Sequence, residues 1–254
     1  MDGKDTLEQQ LSAELVNSPL AKRVLKAVVA SEEYHAINYM ANSVAVNRMK
    51  ITDHGFTHAM ITALNAMRIF NVLQKAGVKT NWEMERHGNS EEARVIVLLG
   101  ALCHDFGNAI HRDGHHGQSL VVARPFVSGI VSKFFKGVKR IEVELSVLQC
   151  IYCHDESVQA YSIEESIVKI ADGVDCAHGR ARVPHELLGN VNEYTLSSNA
   201  IDDATVVFGT MKKPVKIVLK MNDKIGRFQI DQVLQKKIDM STIKDMVEIE
   251  VQMK

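Results

Sequence analysis

With 254 residues, 46% of them hydrophobic and 24% charged, the chain can bury a sizeable core and has the composition of an ordinary globular protein of one large domain, or one large and one small. A net charge of −1, with no cluster of Lys and Arg interleaved with aromatics, argues against a nucleic-acid polymer as partner. No apolar run reaches the ~18 residues of a membrane helix, and Met1-Asp2-Gly3-Lys4-Asp5 lacks the blocks of a signal peptide, so a cytoplasmic protein with no membrane partner is expected.

From Leu7 to about His178 apolar residues recur mainly at helical spacing, so this part reads all-α. Pro19 opens a long helical segment running through roughly Arg48. Thr52 or Asp53 can cap a second helix over 55–75, ended by Gly77. Further helices are expected at 90–105, 117–136, 140–153 and 163–177. Residues 106–116 carry glycines and polar residues without periodicity and read as a loop, a place where function concentrates. After Pro184 the texture changes: 205–208, 215–221 and 247–253 read as strands and 230–238 as a helix, a small α+β module. Pro184, Gly189 and a run of Asn and Ser mark a linker near 183–198. The expected fold is therefore mainly α, a helical bundle over 1–190 followed by a small α+β domain over 199–254. The module's Lys212, Lys213, Lys216, Lys220, Lys236 and Lys237 read as a solvated face with no ligand cluster. Its role is open, and so is a homo-oligomer built through it.

Cys103, Cys150, Cys153 and Cys176 are too few for a disulfide scaffold, and buried reduced thiols are expected. Cys150-x-x-Cys153 has zinc or redox spacing, but no second pair and no preceding strand support it.

Asp105 follows Leu102 by three residues and Leu98 by seven, so on a helix its carboxylate falls on the apolar stripe and turns inward. An ionised carboxylate buried without a partner costs several kcal/mol, a large share of the ~5–15 kcal/mol that holds a typical domain together. His154 follows Ile151 by three residues and Val147 by seven, and Asp172 follows Val168 by four, so other buried stripes also end in ligand types. His58, His104, Asp105 and Asp172 together offer two imidazoles and two carboxylates and no thiolate. That set suits Mn²⁺, Zn²⁺, Fe²⁺, Co²⁺ or Ni²⁺, whereas Mg²⁺ and Ca²⁺ prefer oxygen. His35, His87, His178 and His185 read as hydrogen-bonded core or surface residues.

His58, His104-Asp105 and Asp172, with the segment Asp53-His54-Gly55-Phe56-Thr57-His58 and the closing Ile170-Ala171-Asp172, resemble the H…HD…D signature of the HD-domain superfamily of metal-dependent phosphohydrolases. The match covers roughly residues 50–180. The resemblance implies His58 as the first ligand, His54 beside the metal or facing substrate, Asp172 as the fourth ligand and Asp175 as a supporting residue. Dinuclear relatives add two histidines between the HD pair and the closing Asp. The candidates here are His154, and His115 or His116, with His115 preferred because Ser119 lies four positions on. Asp105 would then bridge two ions. The alternative for His111, His115 and His116 is a solvated polar loop. Asn108 stands where the cyclic-dinucleotide phosphodiesterase branch has Lys, and no Gly-Tyr-Pro occurs, which puts that substrate in doubt. Residues 179–184 resemble a stretch in uncharacterised, largely archaeal HD proteins of this length that share the small tail domain.

The implied function is hydrolysis of the phosphate ester of a small phosphorylated substrate, be it a phosphomonoester, a nucleotide or a cyclic nucleotide. Water activated on one or two divalent ions would attack, its pKa lowered from ~15.7 to ~7. Asp105 would act at the ions, and His111 or His54 would protonate the leaving oxygen. Asn108, Arg180 and Arg182 would meet the substrate, although each arginine serves equally well as a surface ion pair. Two other classes fit the same residues: a non-catalytic metal- or nucleotide-binding sensor, and a di-iron oxygenase of the HD type.

Overall fold

A computed structural model describes residues 3–177 and 193–254. Helices α1 (Gly3–Glu14), α2 (Pro19–Val29), α3 (Glu32–Asn42) and α4 (Phe56–Lys75) open the bundle. The single segment expected over 19–48 is interrupted before α3. Ser31 takes an extended backbone there, and its hydroxyl accepts the Tyr34 N–H, so a fresh cap starts the helix. Beyond α3 a π-helical stretch, Ser43–Arg48, leads to Lys50, whose φ is 59°. Neither Thr52 nor Asp53 caps α4; Gly55 holds the cap position, and Asp53 instead accepts the Gly55 N–H at 2.8 Å. Gly77 ends the helix with φ 77°, as expected.

There follow α5 (Asn81–Met84), α6 (Ser90–Cys103), α7 (His115–Val131), α8 (Gly137–Tyr152) and α9 (Ile163–Val174). The short α5, not expected, starts on a capping box between Thr80 and Glu83; α6 and α9 start the same way, on Asn89 with Glu92 and on Ser162 with Glu165. Every residue of α6 from Ala93 to Cys103 is buried, because α4, α8 and α9 pack around it. The chain leaves α6 at Cys103 and makes a 3₁₀ turn, Phe106–Ala109. Phe106 anchors that turn in the core, its ring centroid 5.9 Å from that of Tyr34 in α3 and 5.6 Å from that of Phe126 in α7. Gly114 is left-handed at φ 68°, and α7 begins on the next residue, earlier than the expected 117.

In the second described segment, α10 (Glu193–Asn199) occupies part of the expected linker; residues 178–192 lie outside the described residues. A three-stranded sheet follows in the order β1 (Ile201–Phe208), β2 (Val215–Met221), β3 (Val247–Met253). The expected strands at 215–221 and 247–253 match residue for residue. β1 starts earlier than expected because a bulge between Ile201 and Asp203 breaks its alternation. β2 pairs antiparallel with β1 and parallel with β3, so a crossover must join β2 to β3. That crossover is α11 (Arg227–Gln229), a π-helical turn Ile230–Leu234, and α12 (Gln235–Asp239). The sheet packs on α4 and the crossover on α9. The fold is thus a helical bundle carrying a small α+β module. Among the described residues, no helix is long and apolar enough to cross a membrane.

Gly107 is the point where the turn after α6 touches α7. Its N–H donates to Ser119 Oγ at 2.8 Å, and a Cβ there would lie 2.0 Å from the His115 carbonyl oxygen and 2.5 Å from Ser119 N. Gly107→Ala is therefore expected to cost about 1–3 kcal/mol of stability, seen as a lower urea midpoint. An unchanged midpoint would mean that the turn and α7 can separate freely.

Candidate metal centre

The ends of several helices converge on one spot. His58 lies in the first turn of α4, His104 and Asp105 follow α6, His115 opens α7, His154 follows α8, and Asp172 lies in the last turn of α9. All are between 0% and 7% exposed. His58 Nε2 is 3.1 Å from His104 Nε2, 3.3 Å from Asp105 Oδ2 and 3.2 Å from Asp172 Oδ1. On the other side of Asp105, His115 Nε2 is 3.0 Å from His154 Nε2 and 3.4 Å from Asp105 Oδ1. Asp105 therefore turns one oxygen toward each pair of imidazoles.

The partners of the remaining ring nitrogens fix the tautomers. His104 Nδ1 lies 2.8 Å from the Ala101 carbonyl and His154 Nδ1 lies 2.6 Å from the Ile151 carbonyl; a carbonyl only accepts, so each Nδ1 carries a proton and donates. His58 Nδ1 donates in the same way to the Asp175 carboxylate at 2.6 Å. When such a ring is neutral its lone pair sits on Nε2, the nitrogen that faces the cluster. Burial lowers the His154 pKa well below the ordinary imidazole range, with the fields of His104 and His115 adding to it. Burial also lowers His115, outweighing the opposing pull of Asp105. For Asp105, burial pushes upward, but His104, then His58 and His54, outweigh it and hold the carboxyl well below its usual range. A neutral His154 and His115 beside an ionised Asp105 are protonation states that ligate a metal.

His58, His104 and Asp105 form one donor group, His104, His154 and Asp172 another, and Asp105, His115 and His154 a third. These buried groups could hold a metal ion, and their mixed N/O character suits transition metals better than Mg²⁺ or Ca²⁺. Ser119, four residues after His115, donates to the His104 carbonyl at 2.6 Å and so steadies the HD pair. His116 stands apart, edge-on to Tyr152, with its Nδ1 3.7 Å from Asp155 Oδ2; with His115 and Asp155 it makes a more exposed donor group. The cysteines are buried free thiols; burial pushes Cys150 well up and Cys153 up to about 12, and among the described residues no cysteine falls in a donor group that could hold a metal ion.

A cavity of about 260 Å³ opens over the cluster. His54, Asp105, His115, His154 and Asp172 line its floor, while Lys50, Arg112, Gln229, Val233 and Lys237 contribute to its walls. A larger cavity, about 360 Å³ beside Trp82, His87 and Glu142, holds none of the cluster. Two expected contact residues fall elsewhere. His111 is exposed, and its Nδ1 accepts the Asp113 N–H at 3.0 Å. Asn108 is buried and spends its amide on Asp105, donating to Oδ1 at 2.7 Å. Arg112, not singled out by its spacing, takes the place at the wall, and Asn108 Oδ1 accepts from it at 3.2 Å. Arg180 and Arg182 lie outside the described residues. Lys237 corrects the expectation of a solvated lysine face: it is 3% exposed, and its Nζ donates to Asp172 Oδ2. The signal was present, since Lys237 follows Leu234 by three residues on the buried stripe of its helix.

The HD domain family model matches residues 55–177, the span that holds His58, the His104-Asp105 pair, His115, His154 and Asp172. The chain is also 34% identical over 230 residues to an uncharacterized protein of Methanocaldococcus jannaschii, covering 91% of this chain and 88% of the relative. No solved structure matches the chain.

The two sides of Asp105 predict about two divalent ions per chain after reconstitution, measured by plasma mass spectrometry. His154→Ala is expected to lower that number and Asp105→Ala to lower it further. A wild-type chain holding one ion would refute the dinuclear arrangement.

Proposed function

The chain belongs to the HD-domain family, and on that premise we propose that it hydrolyses a phosphate ester of a small phosphorylated compound. The observation that carries this reading is Asp105, which faces two imidazole pairs with separate oxygens at the floor of a cavity whose walls hold Lys50 and Arg112. His58, His104, Asp105 and Asp172 would hold one ion, and Asp105, His115 and His154 a second. Divalent ions bound there would supply the positive charge that makes an attacking water acidic and takes up charge on the leaving oxygen.

The remaining roles fall to side chains around that floor. Arg112, held by Asn108, presents a guanidinium to phosphoryl oxygens, and Lys50 adds a second cation. We assign Arg180 and Arg182 to the same work from their place after the closing Asp. His54 is 4% exposed and donates from Nδ1 to the Thr52 carbonyl at 2.6 Å, which leaves Nε2 as its basic nitrogen. Of the two candidates, His54 and His111, we assign to His54 the proton held for the leaving oxygen, since His54 lines the cavity. The cationic walls also favour a phosphorylated ligand in the sensor reading, which differs only in lacking turnover.

A screen of phosphomonoesters, phosphodiesters, nucleotides and cyclic nucleotides with Mn²⁺, Co²⁺ or Ni²⁺ tests the proposal. Hydrolysis that stops on chelation is expected. His54→Gln is expected to lower kcat roughly 10²–10⁴-fold at unchanged metal content. Equal background rates in the wild type and Asp105→Asn with every substrate would refute the enzyme and leave the sensor. Oxygen uptake with Fe²⁺ would instead point to the oxygenase.

A further inference from the structure

The C-terminal module reaches the centre with one side chain. Ile230, Leu234 and Ile238 bury the inner face of the crossover, and Lys237 shares that face. Its Nζ donates to Asp172 Oδ2 and to the His154 carbonyl, each at 2.7 Å, with Glu156 Oε2 3.6 Å away. The other oxygen of Asp172, Oδ1, faces His58 Nε2 at 3.2 Å and His104 Nε2 at 3.8 Å. One buried ammonium thus ties the closing carboxylate of α9 to the turn that carries His154. The α9 side accommodates this approach. Gly173 adjoins Asp172, and a Cβ there would lie 3.0 Å from Lys237 Cδ and 3.2 Å from Leu234 Cδ1, so a larger residue would press the crossover away.

We propose that Lys237 is a positioning residue of the metal centre, holding Asp172 so that Oδ1 alone faces the imidazoles. The proposal rests on the reading of the cluster as a metal centre and not on the reaction performed there. A carboxylate free to rotate offers either oxygen or both to an ion. Hydrogen bonds to the outer oxygen remove that freedom before the ion arrives, and such outer partners tune affinity as ligands do. The small module is then a working part of the centre.

The test is titration of the metal-free full-length chain with Co²⁺, followed by its visible absorption. Lys237→Met keeps most of the stem and loses the ammonium; it is expected to bind Co²⁺ about 10–100-fold more weakly, with altered band shape. Lys237→Arg, which keeps a cation, is expected to stay within roughly threefold of wild type. Leu234→Ala loosens the same helix without touching the ammonium, so its unfolding midpoint should fall while Co²⁺ affinity of the folded chain stays. Wild-type affinity in Lys237→Met would overturn the proposal. So would an equal loss in Leu234→Ala, which would reduce Lys237 to a docking contact. If Lys237→Met does not fold, Lys237→Gln, with a donor and no charge, takes its place. A wild-type chain that binds no Co²⁺ overturns centre and role together, whereas one that binds it and hydrolyses nothing overturns the reaction alone.

Discussion

Imidazole nitrogens facing one another across a single buried carboxylate set the terms for the rest of this molecule. His58 and His104 approach to 3.1 Å on one side of Asp105, and His115 and His154 to 3.0 Å on the other. With the Nδ1 atoms of His58 and His104 already donating, their contact sets lone pair against lone pair unless a proton or a cation intervenes. Burial disfavours an added positive charge on the rings of His154 and His115, and a bound cation would take up the lone pairs aimed into the cluster. Such a cluster cannot be relaxed by local adjustment, because three of its rings are also held from behind: by Asp175, by the Ala101 carbonyl and by the Ile151 carbonyl.

That constraint explains the demands on the scaffold. The donors come from the ends of α4, α6, α7, α8 and α9, so their mutual distances depend on how those helices pack and not on any one segment. α6 is buried along most of its length and acts as the axis against which the others are set. Phe106 then pins the chain immediately after the HD pair between α3 and α7, and Ser119 binds both the His104 carbonyl and the Gly107 N–H. Rigid backbone around the pair is what lets Asp105 present each oxygen to a different side.

Helical periodicity makes much of this legible in the amino-acid sequence. Asp105, His154 and Asp172 each follow apolar residues at three-, four- or seven-residue spacing, and such a spacing has only one direction to point. The loop after Asp105 has no period, so the choice among Asn108, His111 and Arg112 depends on turn geometry that no spacing encodes. Hence Asn108 braces the carboxylate, His111 faces outward and Arg112 takes the wall. Lys237 escapes the sequence for a different reason. Its charge suggests solvent, although its place after Leu234 puts it on a buried stripe by the same rule that finds Asp105. The break before α3 and the bulge in β1 are local hydrogen-bonding events, at Ser31 and Asp203, that override the longer pattern.

The crossover that delivers Lys237 is spliced between β2 and β3, and β3 runs parallel to β2 as Val247–Met253. The wall helix therefore lies between two strands along the chain, and the second of them follows every ligand of the cluster in chain order. Order of synthesis acquires a meaning from this. On the ribosome the ligand-bearing helices emerge first, and the bundle can gather His58, His104, Asp105, His115, His154 and Asp172 while the tail is still being made. The carboxylate of Asp172 meets its ammonium only after Lys237 has left the exit tunnel. A chain that stops short of Gln235 would carry every ligand of the cluster and still lack the ammonium that holds Asp172, so the crossover of the small module is written into the centre itself.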